Sequence, residues 1–156
     1  MNPVVRVATA VLATYGAGFV AYLFVDSQVG SWYASLAKPA ATPSDSTFII
    51  VWLILFALMA GALVLVWGSS VNTPHIEGWV RFYFVSLLFN AMWTIFFFGL
   101  HAMLLAFADI LLLLFIIGCL IAAAWETDYR ASYLLMPYFA WLVFAAYLDL
   151  VVWYMN

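Results

Sequence analysis

Charge is what this sequence most lacks. Four basic and seven acidic side chains are scattered over 156 residues, while 70% of the chain is hydrophobic. With no basic patch, nucleic-acid binding has no electrostatic footing. Cysteine is almost absent too: Cys119 stands alone in an apolar run. That excludes an intramolecular disulfide and a cysteine metal cluster, and Cys119 reads as a small buried hydrophobe. His75 and His101 are isolated in sequence. A metal site needs several converging ligands, so none is assigned, and His101 reads as a solvated or loop-capping side chain rather than a haem ligand. No phosphate-binding loop, dinucleotide fingerprint, metalloprotease helix or nucleophile elbow is present. There is no internal repeat.

What remains is long apolar runs. A bilayer core about 30 Å thick is crossed by about 20 apolar residues in a helix. Five stretches qualify: about 4–25, 47–67, 79–100, 102–124 and 133–154. Within lipid, only helices or closed barrels satisfy the backbone, and continuous runs without strict alternation argue helix. The first stretch is too long for the core of a signal peptide and reads as a retained span. The expectation is an all-α membrane protein, a single five-helix transmembrane domain over 1–156 with no soluble domain appended. Any activity must then lie in the bundle or its loops.

The longest connection, Asp26 to Ser46, holds Trp32, Tyr33, Lys38, Pro39 and Pro43. Its prolines exclude a long helix, and its aromatics suggest a loop that packs down on the bundle. Gly68 to Gly78 reads as an ordinary connector, Gly99 to His101 as a tight turn, and Trp125 to Ser132 as a polar loop. By parity, the N-terminus and loops two and four share one side of the membrane. Arg6, Arg81 and Arg130 lie on that side and Lys38 on the other, so the positive-inside rule places the N-terminus inside and the C-terminus outside.

Eight tryptophans then need sorting. Trp67, Trp79, Trp125 and Trp153 fall at span ends and read as interfacial belt residues. Trp32 lies in loop one. Trp52, Trp93 and Trp141 lie at least five residues inside their spans. The polar residues at depth are Asn90, Thr94, Asp109 and Asp149, with Ser86 nearby. Intramembrane ionisable groups are costly and default to functional hypotheses. Measured from the span ends on the loop-one side, these deep groups gather in one leaflet. Ser86, Asn90 and Trp93 share a helical face, as do Tyr138, Trp141 and Ala145, and Trp52, Phe56 and Met59. Aromatics with a few polar groups are the usual lining of a small-molecule site, although such stripes also serve simple packing. Ala13, Ala17 and Ala21, beside Gly16 and Gly18, give the first span a helix-packing face and a candidate dimer face.

At these residues the chain resembles the TspO/MBR family. Loop one reads Trp32-Tyr33-Ala34-Ser35-Leu36-Ala37-Lys38-Pro39, with Pro43 following. Trp52, Phe89-Asn90, Trp93, Phe96-Phe97, Ala108-Asp109, Pro137-Tyr138-Phe139-Ala140-Trp141 and Phe144-Ala145 continue the pattern. The resemblance implies a five-helix bundle, usually a homodimer, that binds porphyrins and other flat hydrophobic ligands beneath loop one. It implies no required cofactor; a tetrapyrrole is ligand. Ligand-lining positions carry over to Tyr33, Pro43, Asn90, Trp93 and Asp109. Trp52 and Trp141 match tryptophans implicated in light-driven porphyrin breakdown by some members. Tyr138, beside Trp141, joins the expected site, and Lys38 offers a cation for propionates at its mouth.

Two departures stand out. Ala40, Ala41, Thr42, Pro43 and Ser44 replace a stretch in which the family often has an aromatic. Leu148-Asp149 replaces Leu-Asn, so a carboxylate here either repels an anionic propionate or stays protonated and donates to it. No basic residue follows Tyr147 or Tyr154, which argues against sterol handling. The leading expectation is a tetrapyrrole-binding protein with a sensing role in stress. The alternatives are a light- and oxygen-dependent porphyrin-degrading enzyme, which lacks a conventional acid–base pair here, and a transporter, which lacks an inverted repeat.

Overall fold

A computed structural model describes residues 2–29, 31–69 and 73–156, and is helical almost throughout. Helix α1 spans Pro3–Val29, a short α2 spans Trp32–Ser35, and α3 spans Asp45–Gly68. Helix α4, Thr73–Thr94, runs on into a π-helical turn at Ile95–Gly99. Helices α5, Met103–Thr127, and α6, Tyr129–Met155, complete the chain. Five of these are long and apolar enough to cross a membrane. At 1.5 Å per residue, 24 residues reach about 36 Å, enough for a hydrocarbon core of about 30 Å. The chain is an integral, multi-pass membrane protein.

The long helices close into a ring in which α1 neighbours α3, then α6, α5, α4 and α1 again. Apolar residues at three- and four-residue spacing face the centre: Met59, Leu63 and Val66 on α3, Leu113, Ile117 and Leu120 on α5. The opposite faces are equally apolar and open. Leu12 is 73% exposed and Phe115 67%, which suits lipid and not water.

Contacts between ends bear out the parity of the loops. Ser69 Oγ donates to the Thr127 carbonyl, joining loops two and four. At the other end Trp32 stacks on His101 of loop three. There too the Asn156 side chain bonds both backbone groups of Ala37, at 3.0 Å each.

The helices are longer than hydropathy suggests, and at α3 and α6 polar capping is the reason. Asp128 alone separates α5 from α6, its carboxylate accepting from the Arg130 amide and guanidinium. Most of the expected fourth loop is therefore helical. Thr73 to Gly78, expected as connector, forms the start of α4, because proline at position 74 is tolerated in a first helical turn. Helix α1 continues through Asp26 to Val29 before loop one begins. Ser44 accepts from the Thr47 amide to start α3. Pro137 sits inside α6 without ending it, as transmembrane helices permit.

Two sequence readings are corrected. Cys119 is exposed on the outer face of α5 rather than buried. Trp79 is not a belt residue: its ring is buried, stacks on Tyr83, and its Nε1–H donates to the Leu120 carbonyl at 2.9 Å. Of the remaining span-end tryptophans, Trp125 and Trp153 are exposed, as a belt requires, and Trp67 is half-buried. The small-residue stripe of α1 does serve as a helix-packing face: Ala13 and Ala17 lie against the core, Ala21 is buried, and a Cβ at Gly18 would overlap the Phe56 ring of α3.

Candidate ligand-binding cavity

A cavity of about 570 Å³ lies under loop one, between α1, α3 and α4. That volume falls in the range of roughly 300–1,000 Å³ typical of small-molecule sites. Its walls are aromatic: Tyr15 from α1, Phe48, Trp52 and Phe56 from α3, Trp93 from α4. Tyr33, Thr42 and Pro43 of loop one form the roof, and Asn90 and Thr94 supply polar groups. A smaller recess of about 50 Å³ continues towards α5 and α6 and shares Tyr33, Trp52, Asn90 and Trp93 with the first. Trp52 is seven residues into α3, which places it about 10 Å below the mouth.

Helix spacing arranges the walls. Phe48, Trp52 and Phe56 recur every four residues and form one ladder, with centroids 6.0 and 5.3 Å apart. Asn90 and Trp93 lie three apart on α4, and each reaches α6. Asn90 Nδ2 donates to the Tyr138 hydroxyl at 2.6 Å. Trp93 Nε1 donates to Asp149 Oδ2 at 2.7 Å. The first bond is buried and the second partly so, and satisfied polar groups at such depth hold helices in a fixed relation.

The roof is fastened. Trp32 stacks on His101 with centroids 3.9 Å apart and planes 13° from parallel. His101 sits at φ 55°, a left-handed turn that follows the π-helical turn and sets its ring under α2. The turn also presents Phe97 and Phe98 to Trp32 and Tyr33. Lys38 donates to the Tyr33 carbonyl and lies over the Tyr33 ring, 4.3 Å from its centroid. Burial raises the Tyr33 hydroxyl above its ordinary value of 10.0, assisted by the carboxylates of Asp45 and Asp149. Tyr33 is therefore a neutral hydroxyl at physiological pH.

The expected site residues divide into two groups. Tyr33, Pro43, Trp52, Asn90, Trp93 and Asp149 line one recess or both. Lys38, Asp109, Tyr138 and Trp141 line neither. Lys38 backs the roof. Tyr138 is fully buried behind Trp52 and Asn90. Trp141 packs behind Phe48, with centroids 6.0 Å apart. Asp109 is buried on α5, and neither of its carboxylate oxygens has a hydrogen-bond partner among the described residues. Ser86 turns away and donates to the Tyr83 carbonyl.

Sequence reasoning missed the contribution of α1. Tyr15, Gly18, Phe19 and Tyr22 all face the cavity. The signal was there: positions 15, 18, 19 and 22 fall on one helical face. Tyr15 also fixes α1 to α3 by donating to the Leu53 carbonyl at 2.8 Å. Phe48 was legible as well, four residues before Trp52.

The indole N–H groups of Trp52 and Trp141 are buried with no partner among the described residues. No group of three or more histidine, cysteine or acidic side chains forms a candidate metal site among those residues. Chemically, the arrangement offers stacking faces and a few hydrogen-bonding groups.

Comparison with known proteins agrees with this architecture. The sequence pattern of the TspO/MBR family matches residues 9–155. The chain is 34% identical over 140 residues to the tryptophan-rich protein TspO of Chlorobaculum tepidum, covering 89% of this chain and 88% of that one. It is 29% identical to the tryptophan-rich protein TspO of Archaeoglobus fulgidus, over 98% of each chain. It is 32% identical to the human translocator protein, over 88% of this chain and 82% of the relative. A five-helix membrane bundle and a match along nearly its whole length make this chain a member of the TspO/MBR family.

Proposed function

We propose that the cavity under loop one binds porphyrins or similar flat apolar ligands, and that the protein acts as a sensor of them. The observation that carries this reading is a cavity of about 570 Å³ walled by Trp52, Trp93, Phe48 and Phe56. Ring stacking would supply affinity. Asn90, Thr94 and the neutral Tyr33 hydroxyl would orient polar substituents. Lys38 stands at the roof as the nearest cation for a ligand carboxylate, once released from the Tyr33 carbonyl. Asp149 is engaged by Trp93, so its carboxylate meets a ligand only if that bond opens. The arginine count favours an orientation with the N-terminus inside and the cavity in the outer leaflet.

Titration of the purified protein with protoporphyrin, following tryptophan emission, tests this. Saturable quenching at one equivalent is expected. Quenching that rises linearly with porphyrin, as in empty detergent, would rule the reading out.

One observation favours a second reading, porphyrin breakdown in light and oxygen. Trp52 and Trp141 both carry indole N–H groups with no partner among the described residues, and Phe48 stands between them, 6.0 Å from each ring. Such a ladder suits electron donation to an excited porphyrin seated against Trp52. Illuminated spectra decide it: porphyrin bands that bleach no faster than in empty detergent exclude catalysis.

A further inference from the structure

Four residues of the cavity wall belong at the same time to the lipid-facing surface. Phe19 is 64% exposed, Tyr22 47%, Ile49 51% and Leu53 50%. Phe19 and Tyr22 lie on α1, Ile49 and Leu53 on α3. A side chain that both lines a cavity and faces outward marks an opening. This opening lies between two transmembrane helices, within the leaflet below loop one. Leu53 is eight residues into α3, about 12 Å below its start.

The loop-one side is fastened, although the exposed Asp45 there also lines the cavity. Loop one is held to loop three by the Trp32–His101 stack. It is held to the end of α6 by the paired Asn156–Ala37 bonds. Lys38 braces Tyr33 from within. At the lateral opening, Tyr15 ties α1 to α3 by donating to the Leu53 carbonyl. The rims of the two openings also differ in chemistry. Phe19, Ile49 and Leu53 are wholly apolar and Tyr22 carries a single hydroxyl, whereas the loop-one rim includes Thr42 and the Asp45 carboxylate.

We infer that the α1–α3 cleft is a lateral portal through which an apolar ligand dissolved in the membrane reaches the cavity. Phe19, Tyr22, Ile49 and Leu53 form its rim. The inference rests on the reading of the cavity as a ligand site. It adds the direction of approach: ligands that partition into lipid enter between the two helices. It also makes loop one a fixed roof rather than the door.

Stopped-flow mixing of protein in lipid nanodiscs with vesicles carrying protoporphyrin tests the portal, with porphyrin emission as the readout. Ile49→Trp narrows the rim. Ile50→Trp places the same ring on the neighbouring lipid-facing position, which does not line the cavity. The portal requires Ile49→Trp to slow association by about tenfold. Ile50→Trp should leave that rate alone. Phe19→Ala, which widens the rim, should raise it, so the outcome does not hinge on one variant folding. Asn156→Ala and Trp32→Ala unfasten the roof and should leave association unchanged. Rates indifferent to Ile49→Trp and Phe19→Ala but raised by the roof variants would overturn the portal and leave the binding site standing. Absence of saturable binding in the wild-type equilibrium titration would overturn both.

Discussion

Asp109 and Asp149 are the two carboxyl groups at depth, and their surroundings differ. Asp149 accepts a hydrogen bond from Trp93, while Asp109 has no partner among the described residues. Removing a partner from a buried hydrogen bond costs about 1–3 kcal/mol, because the remaining group is left unsatisfied. Asp149→Val should therefore lower stability by about that amount by orphaning the Trp93 N–H. Asp109→Val orphans nothing and should be neutral or stabilising. Thermal unfolding in one detergent compares the two, and equal losses would mean that Asp109 is held by a partner after all. Sequence located both residues at the right depth, since intramembrane acids are rare and conspicuous. It did not say which one is satisfied, because the acceptor of the Trp93 N–H lies 56 positions away. Trp79 shows the same limit. Its place at a span end is that of a belt residue, and only the Leu120 carbonyl on another helix turns it inward.

Among the elements, α3, α4 and α6 were legible through the four- and three-residue spacing of Trp52–Phe56, Asn90–Trp93 and Tyr138–Trp141. Helix α1 was not, because its small-residue stripe drew the reading towards packing and away from Tyr15 and Tyr22. The turn between α5 and α6 was misjudged for another reason. Hydropathy sees Glu126, Asp128 and Arg130 as a loop, whereas a single capping aspartate suffices to restart the helix. Arg130 beside Asp128 holds that carboxyl below its ordinary 3.8. A pKa lowered by folding stabilises above the unfolded value and is lost as pH falls through the folded one. The gap in unfolding temperature between wild type and Asp128→Asn should hold from about pH 7 to about pH 5, and close below about pH 4. A gap that closed between about pH 7 and pH 6 would mean that another group governs this turn.

For the molecule as a whole, composition alone settled the solvent: a chain with so few charges lives in lipid, and five helices follow from the length of its apolar runs. The parity of the loops placed the deep aromatics on one side, and the contacts of Trp32 with His101 and of Asn156 with Ala37 join that side in space. The cavity itself was foreshadowed only as a coincidence of depth, since its volume depends on how far α1 stands from α3 and α4. The central claim is that this volume is a ligand site and not loose packing. The most direct measurement is the equilibrium affinity for protoporphyrin of four variants set beside wild type. Trp52→Ala and Asn90→Leu alter the cavity wall; Trp79→Phe and Trp125→Phe alter tryptophans away from it. The account predicts that the two wall variants weaken binding by about tenfold or more, roughly 1.4 kcal/mol, and that the other two bind as wild type does. Equal affinity across all four would contradict it.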